Sequence, residues 1–313
     1  MSKKRVLITG VNGFTAGYFL DFLRLSGVDS GYIFGTDRAK DASGAHRCRF
    51  IKADLLDKKE ALNVLKKSRP DLIFHFAGLN FGGDHNELMR GNVFTTNNLL
   101  EAVIKSRLKS RVLVIGSAAE YGISGAPGIP IKETAPLNPV TPYGVSKAAQ
   151  TILALQYHSL YGLYVVIARP FNLIGPGQTP NLVCGSIVRQ IKNICVGRRP
   201  SAKLIVGNLD SGRDFVDIRD AVRAYWLLLN SGKNMAGEVF NVASGRSTPI
   251  KRVLGILFKY CGKKIPVERR KEKIKRGDIK AQSADISKIK KAVGWKSSIG
   301  PGTSLKDMYE SVV

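Results

Sequence analysis

The chain has 313 residues, enough for about two domains or one large α/β unit; 44% are apolar and 23% charged, which excludes wholesale disorder. Its 49 Lys and Arg against 24 Asp and Glu leave a formal net charge of +25, a field that favours anionic partners such as nucleic acid, an anionic surface or a phosphorylated small molecule. Cys48, Cys184, Cys195 and Cys261 form no C-x-x-C pair and the four histidines are scattered, so neither a disulfide framework nor a metal centre is indicated. No run approaches the ~18 apolar residues of a membrane span, and the apolar stretch that ends at Gly10 is too short for a signal peptide. The expectation is a reduced, cytoplasmic protein.

Short apolar runs alternate with helical patterns from the start. Arg5–Thr9 reads as a buried strand stopped by glycine, and Gly17–Leu25 as a helix. The strand signature returns at Tyr32–Asp37, Arg49–Ile51, Asp71–Ala77, Arg111–Ile115, Tyr164–Arg169 and Glu238–Val242, with helices predicted over Lys58–Lys67, Asn92–Lys105 and Pro142–Tyr161. This alternation implies an α/β fold, a parallel sheet with helices on both faces. Beyond Asn172 the pattern loosens. The predicted division is a sheet-bearing domain of residues 1–172 plus about 238–246, and a smaller region of 173–237 and 247–313. Lys263–Lys296 holds 13 Lys and Arg against 4 acidic residues, which reads first as a solvated face.

Thr9-Gly10-Val11-Asn12-Gly13-Phe14-Thr15-Ala16 follows the first strand and opens the first helix. Gly10 permits a tight turn, Gly13 lets backbone approach a pyrophosphate, and small Ala16 allows close helix–strand packing. Asp37 ends the second strand, where a carboxylate accepts bonds from ribose hydroxyls and repels a 2′-phosphate, favouring NAD; the adjacent Arg38 would pair with that phosphate and keeps NADP open. Asp54-Leu55 after the third strand would border an adenine, and Ala77-Gly78 after the fourth would let a cofactor pass closely. Each Asp has a plainer reading as a helix cap.

Tyr143-Gly144-Val145-Ser146-Lys147 sets a phenol and an ammonium at i and i+4 on one helix face. A nearby ammonium is expected to lower the phenol pKa toward the working range, and Ser117, just past the fifth strand, stands where a hydroxyl can hold a carbonyl oxygen.

With Gly10-x-x-Gly13-x-x-Ala16, His75-Phe76-Ala77-Gly78, Ser117, Tyr143-x-x-x-Lys147 and Ala168-Arg169-Pro170-Phe171-Asn172, the chain resembles the extended short-chain dehydrogenase/reductase family along essentially its whole length. The resemblance implies a doubly wound Rossmann fold with a smaller substrate-binding region. Within the family, the segments Thr141–Ala149, Ala168–Gln178, Val188–Ile191 and Gly212–Asp220 are most similar to the GDP-4-keto-6-deoxy-D-mannose reductases. That likeness implies reduction of the C4 keto group of a nucleotide-diphosphate 4-keto-6-deoxy sugar by NAD(P)H. Ser117, Tyr143 and Lys147 would be the catalytic set. The cofactor would meet Gly10, Gly13, Phe14, Ala16, Asp37, Arg38, Asp54, Leu55, Ala77, Gly78, Pro170 and the Tyr143–Lys147 pair, while Asn172, Arg189, Arg213, Lys275 and Arg276 would meet the sugar nucleotide.

The dehydratases of the family carry acidic residues directly after the hydroxyl residue, to eliminate water. Here Ala118 and Ala119 follow Ser117, and Glu120 lies one position too far, leaving reduction or epimerisation. The Lys275-Arg276-Gly277-Asp278-Ile279 segment lacks the proline of the family's nucleotide contact. Two alternatives stay open: a nucleotide-sugar 4-epimerase with the same residues, and a non-catalytic nucleotide- or nucleic-acid-binding protein. The second is disfavoured because aromatic residues do not interleave with the basic run, in which Trp295 near the end stands alone. The resemblance further implies a homodimer in which the helices near 92–105 and 142–161 pair with their copies; filling of the monomer core by Ile152, Leu155, Tyr157 and Leu160 is the alternative.

Overall fold

The computed structural model describes residues 4–39, 47–80, 84–124, 128–198, 203–270, 272 and 281–312. Its first half runs β1 (Val6–Thr9), α1 (Phe14–Leu25), β2 (Ile33–Asp37), β3 (Arg49–Lys52), α2 (Lys58–Ser68), β4 (Leu72–His75), α3 (His85–Met89), α4 (Thr95–Ser106), β5 (Arg111–Ile115) and α5 (Pro142–Tyr161). The second continues with β6 (Tyr164–Pro170), β7 (Asn172–Ile174), α6 (Val183–Cys195), β8 (Leu204–Val206), β9 (Gly212–Asp217), α7 (Ile218–Asn230) and β10 (Val239–Val242). It ends with β11 (Ser247–Pro249), α8 (Ile250–Cys261), β12 (Val267–Arg269), α9 (Ser287–Val293) and α10 (Pro301–Ser311). Seven strands form one sheet in the order β10-β6-β5-β4-β1-β2-β3, with every neighbouring pair parallel.

The period of two along these strands sorts their side chains between two cores. Val6, Ile8, Leu72, Phe74, Leu113 and Val166 face one way and pack with α1 and α7. Leu7, Ile73, Val112, Val114, Val165 and Ile167 face the other way and pack with α2, α4 and α5. This is the doubly wound Rossmann architecture. Its strand order reverses between β1 and β4, which opens a crevice beyond their carboxyl ends.

Local chemistry sets the helix boundaries. Asp57 caps α2 by accepting from the Lys59 and Glu60 N–H groups. Thr141 caps α5 through Gly144 N–H, Pro142 occupies the first turn, and Gly162 ends the helix in the left-handed region. Tyr143 is thereby held in the first turn of a 20-residue helix. The helix expected over Asn92–Lys105 begins earlier: α3 joins α4 through a wide turn at Arg90–Phe94. Among the described residues no helix is long and apolar enough to cross a membrane.

A three-stranded sheet, β11-β9-β7, and the pair β12-β8 lie outside the main sheet, over a third core that includes Ile187, Val206, Phe215, Leu254 and Leu305. α7 falls within the 173–237 stretch allotted above to the smaller region. Its buried face nevertheless packs with α1 against the main sheet, because Ala221, Val222, Ala224 and Tyr225 complete the first core.

The tie between β9 and the returning chain is a buried carboxylate. Asp214 accepts from Ser244 N (2.8 Å), Ser244 Oγ (2.6 Å), Gly245 N (2.9 Å) and Ala284 N (3.2 Å). Asp214→Ala strands three backbone donors in a dry site, so a loss of roughly 3 kcal/mol or more is expected. Urea denaturation measures it; a loss below about 1 kcal/mol would contradict the assignment of this tie.

Candidate active site

The crevice beyond β1 and β4 encloses about 610 Å³ and is lined by Gly10, Gly13, Asp37, Arg38, Asp54, Leu55, Ala77 and Gly78 among others. Eight residues singled out in the sequence thus meet in one place. Gly10 takes φ +65°, and a Cβ there would sit 2.7 Å from the Ala77 backbone, so the approach of the two turns requires glycine. Asp37 is held at the end of β2 by Asn12 N–H (3.3 Å) and Ala39 N–H (3.2 Å). Asp54 makes a local turn by accepting from Leu56 N–H at 2.9 Å; capping of α2 falls to Asp57 instead. Thr36 Oγ1 is buried in the same crevice and has no hydrogen-bond partner among the described residues. Phe14 and Ala16 lie behind the glycine turn: Ala16 is in the core, and Phe14 packs edge-on against Tyr18 at 5.3 Å. Pro170 is buried at the end of β6, paired with Val242.

Ser117, Tyr143 and Lys147 gather at the carboxyl end of β5. Ser117 Oγ accepts from Ala119 N–H at 3.1 Å, and the Ser117 hydroxyl acts on the pKa of the Tyr143 phenol. Lys147 is buried, and its Nζ donates to Ile115 O and to Gln150 Oε1, each at 2.7 Å. Burial and a lesser effect of the Glu120 carboxylate push the Tyr143 phenol up to about 12, although the Ser117 hydroxyl works the other way. Burial brings Lys147 down to about 8 against the pull of Glu120. The expectation that the ammonium lowers the phenol pKa is therefore corrected. Desolvation dominates here, and two of the three ammonium protons go to Ile115 and Gln150.

Glu120 completes the arrangement in a way its sequence position concealed. It is fully buried, its Oε2 meets Arg169 Nε at 2.7 Å, and its Oε1 accepts from Ser117 N–H at 2.7 Å. A Cβ at Gly116 would occupy the position of this carboxylate. Arg169 in turn donates to Tyr121 Oη at 3.1 Å, and Tyr121 to Asn241 Oδ1 at 2.7 Å. With Ala118 and Ala119 beside Ser117, neither position directly after the hydroxyl residue carries a carboxylate, and Glu120 is engaged by Arg169.

The residues predicted to meet a sugar nucleotide are dispersed. Asn172 and Arg213 share the three-stranded sheet, where Asn172 Nδ2 donates to Asp214 O at 3.2 Å and Arg213 Nη1 to Gly212 O at 2.9 Å. Arg189 instead lines a second cavity of about 380 Å³ between α6 and the end of α10, lined by neither Asn172 nor Arg213. Lys275 and Arg276 lie outside the described residues. The Gly212–Asp220 segment is built for structure: Asp217 caps α7 and pairs with Arg219, and Asp220 binds Arg223, Ser298 N and Ile299 N.

Sequence reasoning missed the crevice residues Glu87, within a helix too short to show a period, and Arg90, directly after it. It also missed that Thr9, His75, Thr96 and Gln150 join in one buried polar chain.

The model of the GDP-mannose 4,6 dehydratase family matches residues 7–308. GDP-6-deoxy-D-mannose reductase of Pseudomonas aeruginosa is 32% identical over 257 residues, covering 81% of this chain and 83% of that protein. A protein named putative UDP-glucose 4-epimerase from Methanocaldococcus jannaschii is 28% identical over 98% of this chain and 97% of its own. Among solved structures, RMD from Pseudomonas aeruginosa complexed with NADPH superposes with a TM-score of 0.85 at 28% identity, covering 98% of both chains. The chain belongs to the GDP-mannose 4,6 dehydratase family, within the extended short-chain dehydrogenase/reductases.

The buried imidazole yields a pH prediction. Burial, with a lesser contribution from the Lys147 charge, lowers His75 to about 3 from the ordinary 6.5. The unfolded chain therefore takes up this proton first as pH falls, and stability declines from pH 6.5 toward 3 by up to about 1.4 kcal/mol per pH unit. His75→Gln should lose that component of the acid sensitivity in denaturation midpoints at pH 5 and 7; an unchanged pH slope would refute it.

Proposed function

We propose that this member of the family is a nucleotide-sugar reductase, reducing the C4 keto group of a nucleotide-diphosphate 4-keto-6-deoxy sugar. GDP-4-dehydro-6-deoxy-D-mannose is the preferred substrate and GDP-6-deoxy-D-mannose (GDP-D-rhamnose) the product. One observation carries the reading: Ala118 and Ala119 follow Ser117 while Glu120 is locked in a buried ion pair with Arg169. Elimination of water needs an acid and a base at that place, whereas reduction needs a hydroxyl to orient the carbonyl and a single proton donor.

The crevice suits a nicotinamide dinucleotide. Gly10 and Gly13 let backbone approach a pyrophosphate at the head of α1, Asp37 and Arg38 flank a ribose position, Asp54 and Leu55 an adenine, and the unpartnered Thr36 hydroxyl lies among them. When bound, that cofactor supplies the hydride. Asp37 favours NADH, and Arg38 gives NADPH a counter-charge. Ser117 orients the carbonyl oxygen. Tyr143, fully protonated at neutral pH with its pKa near 12, donates the proton to the forming alkoxide. Lys147, cationic below about 8, compensates the phenolate left behind. Asn172 and Arg213 are the proposed sugar-nucleotide contacts.

The second reading, a 4-epimerase, is favoured by the M. jannaschii relative's name and uses the same three side chains. Purified protein carrying stoichiometric NAD would support it. Oxidation of NADH and NADPH is to be followed over GDP-, dTDP-, UDP- and CDP-4-keto-6-deoxy sugars; consumption with the GDP compound supports the reductase, and no consumption with any of them overturns it. In that assay Tyr143→Phe should lower turnover ~10²–10⁴-fold with cofactor affinity retained. Lys147→Ala should be at least as harmful and also weaken cofactor binding. Near-normal turnover by a folded Tyr143→Phe would refute the mechanism.

The dimer is proposed through α4 and α5. Ile152 and Leu160 are 61% and 64% exposed, joined by Val145, Tyr161 and Phe94, whereas Leu155 and Tyr157 pack into the second core. Light scattering should give twice the 34.1 kDa chain mass at micromolar concentration, and a lone 34.1 kDa species would sink this expectation.

A further inference from the structure

We propose that Gln150 is a positioning residue for Lys147, and that Thr96, His75 and Thr9 fix which end of its amide faces the ammonium. The proposal deepens the reading of Lys147 as part of the reactive set.

The four polar side chains are buried and form one continuous chain between the crevice backbone and Lys147. Ala77 N–H donates to Thr9 Oγ1 at 3.1 Å, and Thr9 Oγ1 lies 2.8 Å from His75 Nδ1. His75 Nε2 lies 2.9 Å from Thr96 Oγ1, which also receives Gln150 Nε2 at 2.7 Å. Gln150 Oε1 receives Lys147 Nζ at 2.7 Å.

Counting protons gives this chain a direction. Thr96 has one hydroxyl proton, and it goes to Asn92 O at 2.6 Å, one turn back in the helix. Its oxygen can only accept from its other two neighbours. His75 must therefore carry its proton on Nε2, and the Gln150 group facing Thr96 must be the NH₂. The amide oxygen is then left facing Lys147. A neutral His75 closes the count: its Nδ1 accepts the Thr9 proton, and Thr9 accepts from Ala77. An imidazolium would place a second positive charge in the same dry region as Lys147, and its low pKa excludes this.

The consequence falls on Lys147. Ile115 O and Gln150 Oε1 take two of its three protons and leave the third as the one free to turn toward the site. Since Lys147 titrates near 8, its charge at neutral pH is sensitive to the loss of one acceptor. The other titratable groups around it are Glu120 from the loop after β5, itself paired with Arg169 of β6, His75 from β4, and Tyr143 on its own helix.

The test titrates Lys147 in the unliganded protein by NMR of [¹³C]lysine-labelled chain, its resonance assigned as the one missing from Lys147→Arg. In Gln150→Met, which keeps length and loses the acceptor, the midpoint should fall by about one pH unit, the worth of a hydrogen bond to a charged group. In Gln150→Glu, which places a carboxylate there, it should rise. Thr96→Val should move it in the same direction as Gln150→Met, and Thr96→Ser should return it to the wild-type value. Midpoints within about 0.3 pH unit of wild type in folded Gln150→Met and Gln150→Glu overturn the proposal. Should Gln150→Met not fold, the Gln150→Glu and Thr96 titrations decide it alone. No substrate or cofactor is present, so this outcome is independent of the Tyr143→Phe turnover assay, which tests the catalytic reading itself.

Discussion

One buried carboxylate, Glu120, pairs with buried Arg169 where β5 and β6 end and favours the charge of a second buried cation, Lys147. Removing ions from water costs several kcal/mol each unless every donor and acceptor finds a partner, and breaking such a pair costs about 3–5 kcal/mol. Much of the neighbouring sequence answers to that constraint. Gly116 has no side chain because the carboxylate fills its space. Tyr121 and Asn241 accept in turn what Arg169 has left to donate. Glu120 cannot neutralise both cations, so Lys147 is supported by uncharged oxygens, one from the backbone at the end of β5 and one from Gln150 on its own helix.

The same constraint governs what Glu120 can do. A carboxylate used in elimination must reach substrate and exchange protons with it. Glu120 reaches Arg169, the Ser117 backbone and no solvent. Its pKa is raised by burial, with Arg169 opposing, but a group so enclosed is a structural counter-ion. Ser117 and Tyr143, the hydroxyls proposed to hold and to protonate a substrate oxygen, are half-buried at this end of the sheet.

The main sheet was legible because its signals are local. Seven short apolar runs mark the strands of the sheet, and the glycine turn, Asp37 and Ala77-Gly78 follow directly from where those strands stop. Tyr143 and Lys147 were legible because helical spacing alone places them together. The pairing of Glu120 with Arg169 spans 49 positions, and nothing in either segment announces it. Burial of the phenol is silent in the sequence for a related reason: spacing shows that an ammonium is near but not that desolvation dominates the phenol pKa. Arg189 was read from its segment alone, and only the packing of α6 against α10 directs it to a different cavity.

The distribution of charge bears on how anionic ligands are met. Among the described residues the buried acids are Glu120, Asp214, Asp217 and Asp220, while the buried cations are Lys147 and Arg169. The interior is thus net acidic, and the excess that gives +25 lies outside it. The four buried acids are consumed by backbone N–H groups, serine hydroxyls and arginines that join strand to loop and helix to helix. Carboxylates so used cannot offset lysines on the surface. A surface field of this kind is screened within ~8 Å at physiological ionic strength, so it draws anions in without choosing among them. Choice must come from groups fixed at short range, and the two proposed here, Asn172 and Arg213, are held on the β7–β9 sheet whose connection to the returning chain is the Asp214 carboxylate.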